Sequence, residues 1–590
     1  MKEMSQSGLE PAAGAKMWSE TKIDRAIAFA LFFGTVILLA WTSDAIGFTR
    51  DEGYYFKAGE KYFGWFRFLG ESIVAGDWLA PFQASVLEKH LAYNWEHPVL
   101  LKNLFALSWG ILKESFGLFA HHSAAFRFPA WLFAGLSVSF LYLLSRHLLP
   151  RRAAIFAALA WISMPRVFWH MHLACFDIGV CAAHLWLVWA YVKGRRSVSG
   201  AFWIGVAFGL AAAVKHNVLV TPAFFVLHWW LIEARPIRLE RRGWRIPDLP
   251  LSFFSMALVG PLVFVLHWPY LWPDPIARIG RYLGFHLRHE HYPILYFQEL
   301  LSSPPFPISF PFVMSAITIP VPLLVLFALG VLLGIFVWFQ WWNLRRMGAA
   351  PDEFTMVPLG APDREPSASI ALLLLLQVAF PFVLIALPSS PIFGGTKHWM
   401  NALPFLCILG AWTLEEALQR LQRWMKRNSQ AADEINRAHL WMKVGAAFCV
   451  ILVLLPGALS NIRVHPYGLS SYNALVGYAR GAANAGFQRT FWGYEPREVL
   501  PEVNEKTRRN ARIHFGDTNY DDWRFYRRDG MLRKDIGFAK SVRAADLASV
   551  QPQGEFKSQW MDVRNEWQVD GPDRVVHIEG VPLSTLNWKP

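Results

Sequence analysis

The apolar run and the acidic turn that follows it, "AIAFALFFGTVILLAWTSDAIGFTRDEGYYFKAGEKYF" (residues 26–63), set the fold class. Residues 26–45 contain a single charged side chain, Asp44, and are long enough to cross a bilayer as a helix. Two acids, Asp51 and Glu52, then stand side by side at the expected membrane surface. Ionised groups are costly beside a bilayer and are often functional, so this stretch predicts a membrane protein with a functional site at the bilayer surface.

Similar apolar runs recur along the chain and predict a polytopic α-helical membrane protein. The chain has 590 residues and is 54% hydrophobic, and about eleven segments are long and apolar enough to be membrane helices. We predict these helices at 26–45, 128–145, 153–169, 174–192, 200–214, 217–232, 251–270, 312–340, 369–387, 399–415 and 443–460. The stretch 198–233 is divided in two because basic loops flank it on both sides, which places Lys215 and His216 at the turn between two short helices.

Short basic loops predict the orientation of the chain. "RHLLPRR" (146–152), "RR" (345–346) and "RLQRWMKR" (420–427) fall on the same side as the N-terminus, and such loops are typically cytoplasmic. We therefore expect the loop 417–442 inside and the segments 46–125 and 461–590 outside. The expected location is the cell inner (plasma) membrane, with the site facing the periplasm. Because the basic residues cluster in these loops, the net charge of +13 indicates membrane orientation and no nucleic-acid partner.

The predicted domains divide at residue 460. Residues 1–460 form the transmembrane domain, and its first outer loop, 46–125, carries the acids and two membrane-surface helices near 55–75 and 95–115. Residues 461–590 are mostly polar and mix strand-like and helical patterns, such as "ARIHFG" (511–516). We expect this tail to form a small C-terminal α/β domain in the periplasm.

Apart from the basic loops, a second set of ionisable residues lies in or beside the predicted spans, and every member of this set maps to the outer side of the membrane. They come from six separate segments, and this convergence predicts one outward-facing site. The residues are Asp51, Glu52, His97, Arg127, Asp177, Lys215, His216, His286, Arg288, His289, His291, Lys397 and His398.

Purely structural explanations also exist for these residues. Asp51 and Asp177 are typical helix N-cap residues, and Lys215 and Lys397 could be interfacial lysines that extend toward water. The histidines within 286–291 could belong to an exposed polar loop. Their spacing does not match a zinc site, so no metal is assigned; a divalent metal is compatible with the loop but unsupported, and no cofactor is firmly implied.

Several stretches resemble one family. "TRDEGYYFKAGEKYF" (49–63) resembles the first outer loop of the GT-C glycosyltransferases, and more narrowly that of the protein O-mannosyltransferase and aminoarabinose transferase (PMT-like) group. "NWEHPVLLKNLFAL" (94–107), "CFDIGV" (175–180) and "GTKHWMNALPFL" (395–406) resemble further motifs of that group in the same order. The second span, 124–149, and the start of the tail, 465–500, agree with it as well.

The resemblance implies a GT-C-like enzyme that transfers a hexose or pentose, with inversion, from a polyprenyl-phosphate donor to a protein, lipid or glycan. It implies that Asp51 is the general base, that Glu52 supports the geometry and the acceptor, and that Asp177 is a second acid that orients the acceptor or the base. The implied donor-phosphate ligands are Lys215, Lys397, His289 and Arg127. The implied acceptor or loop residues are His97, His398 and His286.

Two other functional classes remain open from the sequence. A transporter would place charged residues near the bilayer midplane, whereas these residues lie at one end of the spans. A non-catalytic envelope assembly or binding protein would use the tail 461–590 as its binding module.

Overall fold

The structure is a computed structural model, and it describes residues 13–232, 238–240, 243–245, 249–347, 367–428, 432–494 and 496–590. The part of the chain up to residue 464 is mainly helical. Its helices are α1 (Ala13–Thr42), α2 (Arg50–Val74), α3 (Ala84–Leu91), α4 (Leu100–Leu107), α5 (His122–Leu148), α6 (Arg151–Ser163), α7 (Pro165–His170), α8 (Asp177–Gly194), α9 (Val198–Val214), α10 (Thr221–Ile232), α11 (Leu251–Leu266), α12 (Pro275–Leu287), α13 (Phe310–Thr318), α14 (Val321–Arg346), α15 (Ser367–Ala386), α16 (Leu403–Asn428) and α17 (Ala432–Val464). Two short antiparallel hairpins interrupt them, β1 (Arg238–Glu240) with β2 (Gly243–Arg245), and β3 (Ile294–Tyr296) with β4 (Glu299–Leu301).

Several of these helices are suited to a bilayer by length and composition. Among the described residues, five helical stretches are long and apolar enough to cross a membrane: Thr21–Ala45, His122–Leu148, Val321–Arg346, Ser367–Ala386 and Val444–Val464. Large apolar side chains such as Phe29 on α1 and Phe336 on α14 point outward and are exposed, as expected for lipid-facing helices whose backbone groups are satisfied internally. A multi-pass helical membrane protein is therefore confirmed, and the number of eleven crossings stays a prediction.

Within the apolar runs, the helices are interrupted at a charged residue or at a proline. The predicted break after Val214 is confirmed: Lys215 is extended, with φ −159° and ψ 144°, between α9 and a short 3₁₀ turn, His216–Val220, that leads into α10. The single helices predicted at 153–169 and 312–340 are wrong. The first is broken between α6 and α7 at Pro165, and the second between α13 and α14 at Pro320. Proline lacks the N–H that a continuous helix needs and disfavours helical backbone in the residue before it.

The first outer loop contains the predicted surface helices. α2 spans the expected 55–75 segment, and α4 continues through a π-helical turn, Ser108–Ser115, over the expected 95–115 segment. α2 is amphipathic and buries Tyr55, Phe56 and Tyr62 against the membrane part.

The predicted cytoplasmic loop 417–442 is largely helical. α16 extends to Asn428 and α17 begins at Ala432, and the expected position of this segment inside the cell stays a prediction. Apolar residues three or four positions apart within 414–427, such as Leu414, Leu418 and Leu421, favour an amphipathic helix, which average hydropathy does not reveal. Much of the basic segment 235–242 and the whole Pro-rich segment 351–366 lie outside the described residues.

The tail from residue 465 onward contains a mixed sheet with helices around it. Its elements are α18 (Tyr478–Asn484), α19 (Leu500–Lys506), β5 (Arg512–Phe515), α20 (Tyr520–Arg528), β6 (Gly537–Phe538), β7 (Leu547–Val550), α21 (Lys557–Trp567), β8 (Arg574–Ile578) and β9 (Val581–Trp588). The strand order is β6-β5-β7-β9-β8, with β5 parallel to both β6 and β7 and the remaining pairs antiparallel. The strand predicted within 511–516 is confirmed as β5.

The tail packs directly on the first outer loop. Arg524 Nη1, on α20, donates a 3.1 Å hydrogen bond to Glu60 Oε1 on α2, and Asp529 Oδ1 accepts a 2.6 Å bond from the backbone N–H of His122. Arg50 Nη1 lies 3.0 Å from Asp517 Oδ1. The sheet-bearing tail is therefore attached to the helix whose first turn carries Asp51.

Candidate functional site

The start of α2 positions Asp51. The helix begins at Arg50 with Thr49 as its N-cap residue, so Asp51 is the second helical residue and the N-cap explanation for it is wrong. Its side chain is 22% exposed, at a helix N-terminus where a negative charge is favourable. Arg50 stays 3.8 Å from Asp51 Oδ1 because its guanidinium makes the shorter contact with Asp517. Asp51 therefore keeps an accessible carboxylate.

Lys397 reaches this carboxylate from the loop before α16. Its Nζ lies 3.7 Å from Asp51 Oδ2 and 3.7 Å from the centroid of the Trp492 ring. The side chain is 8% exposed, so it does not extend into water as an interfacial lysine would. Burial lowers the pKa of Lys397 to about 8, although the nearby Asp51 and Asp177 carboxylates act in the opposite direction.

Asp177 and Lys215 form a second pair of opposite charges. α8 begins at Asp177 with Phe176 in the N-cap position, so Asp177 does not cap this helix. Lys215 Nζ donates a 2.6 Å hydrogen bond to Asp177 Oδ1, and both side chains are buried. Asp177 also acts electrostatically on Lys397. Two acids and two lysines from four distant segments therefore lie in one neighbourhood, as the clustering of ionisable residues in the sequence predicts.

Glu52 and Arg127 form a buried salt bridge. Arg127 Nε and Nη2 donate to Glu52 Oε1 and Oε2, each at 2.7 Å, and the backbone N–H of Ala174 donates to Oε1 at 2.9 Å. The remaining Arg127 bonds go to the carbonyls of Ile46 and Gly47. Glu52 is fully buried. Every nitrogen of Arg127 and both oxygens of Glu52 are engaged inside the protein, which agrees with the expected support of the geometry by Glu52. The roles of Glu52 toward the acceptor and of Arg127 toward the phosphate stay predictions.

Three histidines form a separate group beside the charged cluster. The rings of His216 and His286 stack at 3.8 Å, and His97 lies 6.3 Å from His286. His286 Nε2 is 2.8 Å from the carbonyl oxygen of Glu96. Burial lowers the pKa of His286 to about 4, so this ring is neutral near pH 7. The three rings bring together α12, the segment before α4 and the turn after α9.

His289 and His398 flank the ring of Phe393. Each imidazole lies 5.4 Å from that ring, and His398 Nε2 accepts a 3.1 Å hydrogen bond from the backbone N–H of Gly394. Burial holds the pKa of His398 well below its usual range. His398 thus fixes the loop that carries Lys397 and does not supply a charge.

Sequence reasoning missed four residues of this region. Trp492 comes from the tail, and its φ of 71° is rare for a non-glycine residue and marks a strained turn. Asp517, also from the tail, holds Arg50. Arg166 and His170 precede Asp177 in "PRVFWHMHLACFD" (165–177), and their spacing of one helical turn was the signal available.

The comparisons with known proteins are as follows. Residues 105–264 match the family model described as dolichyl-phosphate-mannose-protein mannosyltransferase. Among curated proteins, none matches the chain. ArnT from Cupriavidus metallidurans bound to undecaprenyl phosphate is similar over 96% of this chain and 98% of that chain, with 15% identity and a TM-score of 0.46. The apo form of ArnT gives 13% identity and a TM-score of 0.47 over 98% of each chain.

An oligosaccharyltransferase from Archaeoglobus fulgidus in the apo form is similar over 84% of this chain and 63% of that chain, with 14% identity and a TM-score of 0.41. At such TM-scores these structures assign neither fold nor function to the chain. The matched segment 105–264 includes Arg127, Asp177 and Lys215. The family resemblance predicted from the sequence is therefore confirmed for residues 105–264, which are similar to the dolichyl-phosphate-mannose-protein mannosyltransferases.

Proposed function

We propose that the chain is a membrane glycosyltransferase of the GT-C type that uses a polyprenyl-phosphate-linked sugar. The observation that carries the proposal is the accessible Asp51 carboxylate 3.7 Å from the buried Lys397 ammonium. A base and a cation side by side are what transfer from a phosphate-linked donor to a hydroxyl requires. The family match over residues 105–264 supports the same class of reaction.

Asp51 acts as the general base. Its carboxylate accepts the proton of the acceptor hydroxyl as the hydroxyl oxygen attacks the anomeric carbon. The new bond joins the acceptor oxygen to that carbon, and the bond between the carbon and the phosphate oxygen breaks on the opposite face. The electron pair leaves with the phosphate, which is a stable anion and needs no proton from a general acid. Attack opposite the leaving group inverts the anomeric configuration.

Lys397 and Lys215 supply the positive charge for the phosphate. The Lys397 ammonium lies over the rings of Trp492 and Phe393, which hold it in place, so little side-chain entropy is lost when an anion binds. Lys215 is paired with Asp177 at 2.6 Å, and this pairing keeps the lysine extended at the end of α9. Asp177 thus acts as a second acid that orients the cationic side of the site.

The membrane arrangement is part of the proposal. Eleven crossings would leave the N-terminus in the cytoplasm and place the first outer loop and residues 461–590 in the periplasm, with the protein in the inner membrane. Residues 1–460 are the catalytic membrane domain, and 461–590 the periplasmic domain that contributes Trp492 and Asp517 to the site. The acceptor is a protein, a lipid or a glycan reached from that side.

The proposal is tested in a strain that lacks the gene. Mass spectrometry of its glycoproteins and envelope glycolipids is compared with the parent strain and with the strain complemented by the full chain. We expect one class of molecule to lose a single sugar in the deletion strain and to regain it on complementation. Identical glycan and glycolipid profiles in all three strains under conditions where the protein is produced would overturn the proposed function.

A further inference from the structure

Arg166 is a buried cation without a matching anion. It is 2% exposed on α7, and its Nε donates a 3.1 Å hydrogen bond to the carbonyl oxygen of Ser471. Within the described ranges, Nη1 and Nη2 make no hydrogen bond of normal geometry, and the neutral Tyr472 hydroxyl is the polar side chain that interacts with the guanidinium. The guanidinium carbon lies 4.7 Å from the Tyr472 ring and 5.1 Å from the Phe491 ring. Two aromatic faces and a neutral hydroxyl compensate a buried guanidinium only in part, so its positive charge and most of its Nη donors are left to be satisfied.

His170 follows Arg166 by one helical turn, so the two side chains share a face of α7. It is also 2% exposed. Neither of its ring nitrogens has a hydrogen-bond partner among the described residues. Its ring lies 5.3 Å from that of Trp492. Buried polar groups are nearly always hydrogen-bonded, and two adjacent exceptions indicate a missing ligand or water.

These two residues adjoin the proposed catalytic pair. Phe491, which packs on Arg166, also packs on Gly395, where a Cβ atom would lie 3.1 Å from the phenylalanine Cε1. Trp492 is next in the chain and contacts both His170 and Lys397 Nζ. The two aromatic residues of the tail therefore connect Arg166 and His170 to the loop that carries Lys397.

We propose that Arg166 and His170 form an oxyanion-binding subsite beside the Asp51–Lys397 pair, which takes a phosphate or carboxylate group of a substrate. The inference rests on the proposed function, because it places a second anionic group next to the reacting centre. A guanidinium presents two parallel N–H groups that match two oxygens of either anion. The anion comes either from the polyprenyl phosphate or from a carboxylate on the sugar or acceptor, and both would supply the charge that Arg166 lacks.

Stability of the ligand-free protein gives the first test. Removing an arginine whose role is structural lowers the stability of the protein. Removing an arginine whose role is to bind an anion relieves an uncompensated buried charge in the ligand-free protein and does not lower its stability. We expect the thermal midpoint of Arg166→Met to equal or exceed that of the wild type in detergent. The matched control is Arg127→Met, which leaves the buried Glu52 carboxylate without its ion-pair partner and should lower the thermal midpoint clearly. A drop for Arg166→Met as large as for the control would overturn the subsite.

Anion binding gives the second test, with the purified full chain titrated with undecaprenyl phosphate, inorganic phosphate and acetate. At least one probe should raise the wild-type thermal midpoint in a concentration-dependent way. Arg166→Met should weaken that binding roughly 10-fold or more, as expected for the loss of a charged hydrogen-bonding partner, and Arg166→Lys should restore part of it.

The binding results also identify the source of the anion. Stabilisation by the two phosphates supports the donor as the source, and stabilisation by acetate alone supports a carboxylate. Binding equal to the wild type in Arg166→Met, or no stabilisation by any probe in the wild type, would overturn the subsite. Neither test requires sugar transfer. Normal sugar transfer without Arg166-dependent anion binding would therefore contradict the subsite and leave the proposed function standing. Arg166-dependent anion binding in a protein that transfers no sugar would contradict the proposed function and leave the subsite standing.

Discussion

Asp51 and Glu52 are neighbours in the sequence, yet their carboxylates have opposite environments. Successive residues of a helix point in directions about 100° apart, so the first turn of α2 directs one acid to the open side and the other into the protein. Glu52 is held by Arg127 and by backbone N–H groups, whereas the ion pairs of Asp51 with described residues are contacts of 3.7–3.8 Å. The Asp51 carboxylate is therefore suited to proton transfer, and the Glu52 carboxylate to holding the first turn of α2 in place.

Glu52→Gln should therefore reduce stability. Removing one partner of a buried ion pair leaves the other charge uncompensated and typically costs about 3–5 kcal/mol. The measurement is the thermal midpoint of the purified variant in detergent. Arg543→Ala is the control, because Arg543 pairs with Glu566 on the exposed surface of the tail, and such a pair contributes only about 0–1 kcal/mol. Equal midpoints for the two variants would show that Glu52 is not a structural anchor.

The protonation of Lys397 predicts a pH dependence. Burial lowers its pKa to about 8, so the ammonium is present below that pH and is lost above it. The kcat/KM for the donor, which reports groups of the free enzyme, should fall as the pH rises through about 8. Arginine remains charged throughout this range, so Lys397→Arg should retain part of the activity and lose the alkaline decline. A decline that is the same in both proteins would exclude Lys397 as its cause.

At the scale of elements, the packing of α20 on α2 determines where Asp51 lies. The Asn519 side chain donates from Nδ2 to the carbonyl oxygen of Arg50, and Trp492 accepts a 3.1 Å hydrogen bond from the backbone N–H of Arg50 through its own carbonyl. Gly53, one residue after Glu52, lets the two helices approach. A Cβ atom there would lie 2.5 Å from Asn519 Oδ1 and 2.6 Å from Asp522 Oδ1.

Gly53→Ala should consequently lower both stability and sugar transfer, since the tail must move away from the first turn of α2. Gly70→Ala is the matched control on the same helix, because nothing lies within 4 Å of a Cβ atom at Gly70. At an open helical position, this change stabilises a protein by about 0.5–1 kcal/mol. The thermal midpoint should fall in Gly53→Ala and rise in Gly70→Ala, and the transfer rate should fall in Gly53→Ala and stay at the wild-type value in Gly70→Ala. A Gly53→Ala protein that behaves like Gly70→Ala would show that the contact between α2 and α20 is unimportant.

For the whole molecule, an odd number of crossings predicts that the basic loop at Arg196 and the tail lie on opposite sides of the membrane. Single cysteines at the exposed positions Arg196 and Lys540 test this in a variant whose exposed Cys449 is replaced. We expect a membrane-impermeant thiol reagent to label intact cells at 540 and to label 196 only after the cells are opened. Labelling of both positions from one side would contradict the topology and the outward orientation of the site.

The sequence predicts the membrane helices and the gathering of charges, but not the contacts that build the site. Hydropathy locates apolar runs, and the charge of Lys215 marks a break within one of them. A hydropathy average over a window does not respond to a single proline, so the helix breaks at Pro165 and Pro320 were not predicted. The pairing of Glu52 with Arg127 and the position of Trp492 are long-range contacts. Local periodicity and propensity carry no information about such contacts, because they depend on how distant segments pack.

The most direct test of the central claim is the rate of sugar transfer by Asp51→Asn in membranes that contain equal amounts of protein. Asparagine has nearly the same shape but cannot accept the proton, so the rate should fall by roughly 10²–10⁴-fold while the thermal midpoint stays close to that of the wild type. Asp44→Asn is the control, since Asp44 lies in the short 3₁₀ turn Ser43–Ala45 after α1 and its side chain is 74% exposed, and it should transfer at the wild-type rate. A folded Asp51→Asn protein that transfers sugar at the rate of the Asp44→Asn control would contradict the account.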